Sequence, residues 1–177
     1  DNGYHYPYAL LIAGIAFLVL LLLEHIGREI YEHEGATSAG FAFLSVFLLA
    51  IHSFLEGAAL GLSMTVSVFV LVLFAILAHK WVVSFALSLQ ISKTQLSTAI
   101  GILLFVIFAV MTPVGILVGD LISHQHQILE PIFTALAAGT FIYLGTLHGL
   151  KQAVMIDKCC DLKRFFFVVF GFAIMAV

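Results

Sequence analysis

Residues 40–64 read GFAFLSVFLLAIHSFLEGAALGLSM. The stretch is almost wholly apolar and shows no period-two alternation. At about 20 residues an α-helix crosses a hydrocarbon core, so this one is long enough to span a bilayer. Yet its middle carries His52, Ser53 and Glu56. An ionisable group at that depth is costly unless it faces protein, water or a bound ion. The same residues that predict a membrane helix therefore also mark where chemistry is to be sought.

The rest of the chain agrees with this reading. Of 177 residues, 63% are hydrophobic and 10% charged, whereas soluble domains average about 25% charged residues. Apolar runs separated by short polar punctuation predict spans at 8–26, 40–62, 67–90, 99–121, 128–150 and 165–177. Only helices and closed barrels satisfy their backbone polar groups in lipid, and long runs without alternation select helices. The fold class is an all-α polytopic membrane protein with a single transmembrane domain. A formal net charge of −3 gives no reason to expect nucleic acid as a partner. The chain has no initiator methionine, and its last span is short. It is expected to be part of a longer protein.

The seven basic residues test orientation. Arg28 follows the first span, Lys93 lies between the third and fourth, and Lys151, Lys158, Lys163 and Arg164 lie between the fifth and sixth. These loops share one side if every span crosses, and the opposite loops carry no Lys or Arg. By the positive-inside rule the basic side is cytoplasmic and residue 1 is outside, in a plasma or cytoplasmic membrane. The exception is Lys80, which falls inside the third span beside His79.

The intramembrane groups are His52 and Glu56 in the second span, His79 and Lys80 in the third, and His148 near the cytoplasmic end of the fifth. Glu24 lies towards the cytoplasmic end of the first. His52 and Glu56, at i and i+4, share one helix face. The second and third spans are joined by a short connection and are expected to be antiparallel neighbours. His79 lies about as far from that connection as His52 and Glu56, so two imidazoles and a carboxylate converge near the midplane. Imidazole nitrogen and carboxylate oxygen suit a divalent transition metal, zinc first, with iron, manganese or cadmium open to the same donors. A structural alternative is an interhelical hydrogen bond, but several ionisable groups in adjacent spans favour function.

Small residues recur at close-packing spacing in Gly57-x-x-x-Gly61, Gly115-x-x-x-Gly119 and Gly145-x-x-x-Gly149. Plain helix packing accounts for these, although the first borders the site and also suits a smooth sliding surface. Pro113, after Thr112, removes a backbone hydrogen bond and predicts a kink in the fourth span.

His52-Ser53-Phe54-Leu55-Glu56-Gly57 followed by His79-Lys80 resembles the ZIP family of divalent metal transporters, in the branch with His-Lys in its fifth helix. The run YPYALLIAGIAFLVLLLLE, residues 6–24, resembles the family's third helix, Met111-Thr112-Pro113-Val114-Gly115-Ile116 its sixth, and Ala138-Gly139-Thr140-Phe141-Ile142-Tyr143 its seventh. The resemblance implies an eight-helix bundle of which this chain carries helices three to eight, with both termini outside. It also implies a homodimer in the lipid bilayer, and metal import to the cytoplasm by an elevator-type alternating-access movement of the bundle containing helices four and five. Zinc or a similar ion is then substrate, and no cofactor is required.

Departures from the family pattern carry information too. Binuclear relatives have a second-site ligand where Ser53 stands and carboxylate or amide ligands at Lys80 and Val83. The resemblance thus implies one metal site, formed by His52, Glu56 and His79. Lys80 then fills part of the space and field of a second ion, pairing with Glu56 when the site is empty, or serves as a structural tether. His148, where many relatives have glutamate, is either a secondary metal contact or an interfacial histidine. His124 and His126 form either a weak metal-capture patch or a solvated turn. Cys159 and Cys160 are read as free thiols in a cytoplasmic loop. The alternative function is an intramembrane zinc hydrolase, in which the same ligands activate water. It is disfavoured because Glu56 would have to leave the metal to act as base.

Overall fold

In the computed structural model, residues 8–33, 38–63, 65–94, 96–123 and 128–146 are described. They form α1 (Tyr8–His33), α2 (Ser38–Gly61), α3 (Val66–Ser92), α4 (Thr98–Ser123) and α5 (Leu129–Tyr143). Among the described residues five helices are long and apolar enough to cross a membrane. The expected span at 165–177 and the end of that at 128–150 lie outside them. The chain divides into two units, Asp1–Thr140 and Phe141–Val177. Of the second, the described part is the last turn of α5 and a wider π-type turn over residues 144–146, where the Thr146 hydroxyl donates to the Ile142 carbonyl at 2.6 Å.

The helices begin and end for local reasons. α1 continues beyond residue 26 to His33, because the residues that follow, Gly27 to His33, are more polar but mostly compatible with a helix. α2 stops where Gly61 and Leu62 turn the chain. There the Leu62 amide donates to the Ala58 carbonyl at 3.0 Å and the Ser63 amide to that of Leu60 at 3.2 Å, which occupies carbonyls a helix end otherwise leaves unpaired. Thr65, in extended backbone, precedes α3, so the return is short and α3 must run antiparallel to α2. α4 starts under Ser97, whose carbonyl accepts from the Gly101 amide at 3.0 Å.

The large side chains exposed on α1, α3 and α4, such as Leu18, Phe74, Trp81 and Leu117, are apolar. That is the pattern of helices bathed in lipid, where an exposed Leu or Phe carries no penalty. α2 is the buried helix: 67% of its most apolar window is covered, against 6% for α3.

What covers α2 is chiefly α4. The two glycine pairs meet face to face. A Cβ at Gly57 would run into the Thr112 carbonyl and one at Gly61 into that of Ile116; reciprocally, a Cβ at Gly115 would strike the Phe54 carbonyl and one at Gly119 that of Ala58. Backbone lies on backbone along this seam. The bare glycines are what permit it, and dispersion between closely packed main chains is a large part of what holds helices together in lipid. Plain packing is therefore how the glycines are used here, and their partner helix is not the one adjacent in sequence. The seam also fixes α4 in register, so that Thr112 lies against the turn of α2 carrying Ser53.

Candidate metal centre

His52 and Glu56 lie one turn apart on α2, with His52 Nε2 3.0 Å from Glu56 Oε1. The antiparallel return brings His79 of α3 to the same depth, with its Nε2 2.5 Å from the same Oε1. The imidazole centroids are 6.1 Å apart, and the three ligand atoms lie within 4.8 Å of one another. Two atoms bonded to one tetrahedral zinc at about 2.1 Å are about 3.4 Å apart, so this cluster needs to draw in by about 1–1.5 Å to hold an ion. His52 and Glu56 are buried, while His79 remains partly open at 17% side-chain exposure, which leaves an approach to the cluster.

The far side of each imidazole is tied down. His79 Nδ1 donates to the Ala75 carbonyl at 2.7 Å, one turn back on its own helix. His52 Nδ1 is 2.7 Å from the Thr140 hydroxyl of α5. Both ligands thus present Nε2 to Glu56. The short contact between His79 Nε2 and Glu56 Oε1 calls for a proton between them. A cation held by these three groups would compete with that proton for the same lone pairs.

Lys80 sits beside this cluster and not in it. Its ammonium donates to the Thr112 hydroxyl and to that of Ser53 at 3.3 Å, with the Phe108 ring face 4.9 Å away. The Thr112 hydroxyl in turn reaches the Ser53 carbonyl at 3.3 Å. The expected ion pair between Lys80 and Glu56 does not form. Lys80 is one residue beyond His79, rotated by about 100° around the helix, and faces α4 instead. Ser53 and Lys80, singled out in the sequence as replacements for second-site ligands, touch each other. Thr112, named in the sequence for its place before Pro113 and in the stretch resembling the family's sixth helix, completes their cage.

The roles of two further residues were not legible in the sequence. Thr140 supports His52, and Gln90 of α3 donates to the buried Ser45 hydroxyl of α2 at 2.6 Å. Hydroxyls in apolar helices commonly bond their own preceding turn, so no spacing in the sequence marks those that reach another helix. His124, His126 and His148 lie outside the described residues, as do Cys159 and Cys160.

Among the described residues, five membrane-competent helices and a largely buried His-Glu-His cluster define a polytopic membrane protein with a site suited to a divalent metal. The sequence profile of the ZIP zinc transporter family matches residues 34–177, and the chain belongs to that family. It is 30% identical over 158 residues to zinc transporter ZIP1 of Danio rerio, covering 87% of this chain and 52% of that protein. Against ZIP1 of Bos taurus it is 31% identical, covering 85% and 48%, and against ZIP2 of Mus musculus 29% over 204 residues, covering 97% and 66%. The chain spans about half the length of these ZIP1 relatives. No solved structure shows a significant match. The family model and these relatives are named as zinc transporters, not as hydrolases.

Proposed function

We propose that the complete protein carries a divalent transition metal, zinc first, across the membrane into the cytoplasm, through a single site formed by His52, Glu56 and His79. The observation that carries this reading is the convergence of two imidazole nitrogens on one buried carboxylate oxygen, contributed by two membrane-competent helices. Three protein ligands leave a coordination position for water, and a permeating ion must be able to exchange ligands to leave. Iron, manganese and cadmium share these donors, and zinc leads because the named relatives are zinc transporters.

Alternating access suits a site held away from both faces of the membrane. We take α2, α3 and α4 to move as one body, since carbonyls interlocked along the α2–α4 seam oppose sliding between those two helices. This extends the elevator movement implied by the family by assigning α4 to the moving part. The loop charges support residue 1 outside and import as the direction. A homodimer in the plasma or cytoplasmic membrane is the assembly the resemblance implies. The test is zinc uptake by proteoliposomes containing the full-length protein. Saturable uptake that cadmium or iron competes for is expected, and its absence from folded, correctly inserted protein would remove the proposal.

Lys80 supports a single ion. Its ammonium fills the space between Ser53, Thr112 and Phe108, and a fixed positive charge beside the ligands weakens the binding of any cation. One zinc per chain is expected by equilibrium dialysis. In Lys80→Met the zinc KM is expected to fall by about tenfold, as the repulsion is removed from a low-dielectric site, with a slower maximal rate because release is harder. An unchanged KM would make Lys80 a structural tether.

A further inference from the structure

The hydrogen bond from His52 to α5 carries more information than an ordinary interhelical contact. Thr140 and His52 are each 2% exposed. The Thr140 hydroxyl donates its single proton to the Ala137 carbonyl of its own helix at 2.8 Å. Towards His52 Nδ1, 2.7 Å away, it can therefore offer only a lone pair. To offer Nε2 to an ion, a neutral imidazole must carry its one N–H on Nδ1, where the Thr140 oxygen can accept it. Nε2 is then left as a bare lone pair, and it is Nε2 that faces Glu56 Oε1. The opposite tautomer would donate from Nε2 to Glu56 Oε1 and put a proton where the ion has to bind.

We propose that Thr140 is a positioning residue of the metal site, holding His52 in the tautomer and ring orientation that present Nε2 to the ion. His79 obtains the equivalent restraint from the Ala75 carbonyl, which no side-chain substitution removes, so Thr140 is where that restraint is set by a side chain. The restraint also comes from a helix that carries none of the three ligands. Gly139 precedes Thr140 and lets α5 approach α1 until its backbone lies against the Ala13 carbonyl, and this crossing helps place the hydroxyl. The inference rests on the reading that His52, Glu56 and His79 hold the transported ion.

The test compares wild type, Thr140→Val, Thr140→Ser and Glu56→Ala in the full-length protein. Valine keeps the shape of threonine and removes the hydroxyl. Loss of a partner that orients a metal-bound histidine lowers metal affinity by about 10–100-fold, so the zinc KM of Thr140→Val is expected to rise by at least about tenfold, with maximal uptake changed much less. Serine restores the acceptor and is expected to recover most of that loss, which a packing role for the threonine methyl would not allow. Nitrogen NMR of the zinc-loaded wild type, with His52 assigned by its removal, is expected to show Nε2 bound to metal and a protonated, hydrogen-bonded Nδ1. A wild-type KM in Thr140→Val, no recovery by serine, or ligation through Nδ1 would each overturn the proposal. The NMR result does so even if the valine protein does not fold. If zinc binding to the wild type does not depend on Glu56, the metal-site reading itself fails, whereas Glu56-dependent binding that ignores Thr140 defeats this inference alone.

Discussion

Glu56→Ala is expected to abolish zinc uptake, with a fall of at least about 100-fold, beyond the 10–100-fold that loss of an orienting partner brings. Glu56 Oε1 is the atom on which both histidines converge, at 3.0 Å and 2.5 Å. It is also the one anionic donor of the cluster. Without it, a dication would have to leave bulk water for two neutral imidazoles in a low-dielectric setting, with Lys80 nearby and no compensating charge. Glu56→Gln isolates the charge, because it keeps the length and the oxygen; it is expected to fail nearly as completely. The carboxylate is not part of the glycine seam, so both variants are expected to fold, as judged by size-exclusion profile and thermal unfolding in detergent. Uptake by Glu56→Ala within threefold of wild type would rule out Glu56 as a ligand.

The second large effect is on stability. Gly115→Ala is expected to lower the unfolding free energy of the full-length protein by about 1–3 kcal/mol, the usual range for overpacking. Its new methyl group meets the Phe54 carbonyl and comes within 2.9 Å of the Ala58 amide nitrogen. These are backbone atoms of a helix and cannot turn aside as a side-chain terminus would, so α2 and α4 must separate. The displaced residue, Phe54, lies between the site residues Ser53 and Glu56, and the zinc KM is expected to rise as the helices part. Gly14→Ala is the control. Nothing lies within 4 Å of a Cβ built there, and alanine favours helix over glycine by about 0.8–1.0 kcal/mol. Its melting temperature should be unchanged or higher. Equal melting temperatures for the two variants would contradict the close approach of α2 and α4.

Which parts of this protein are legible in the sequence follows from the range of the forces involved. A bilayer leaves a chain of this composition little besides helices of a set length, and α2, α3 and α4 lie close to the spans expected at 40–62, 67–90 and 99–121. α1 exceeds its expected span because hydropathy marks where a helix leaves lipid and not where it unwinds. The grouping of the three candidate residues was legible for an equally local reason. His52 and Glu56 share a face by helical periodicity, and the short return before Val66 fixes the depth of His79.

The sequence by itself thus determined the class, the spans and the candidate ligands, since each depends on contacts between residues close along the chain or joined by a short turn. The tertiary structure decided which glycine pair packs against which, where the Lys80 ammonium goes, and which hydroxyl holds His52. Gly57 and Gly61 could have met either of two similar motifs, and Lys80 had a carboxylate and several hydroxyls within one helix diameter. Thr140 is separated from His52 by 88 residues. Such choices are settled by the rotation and register of whole helices against one another. Those depend on the summed fit of a seam such as that between α2 and α4, which no single span carries in its own pattern.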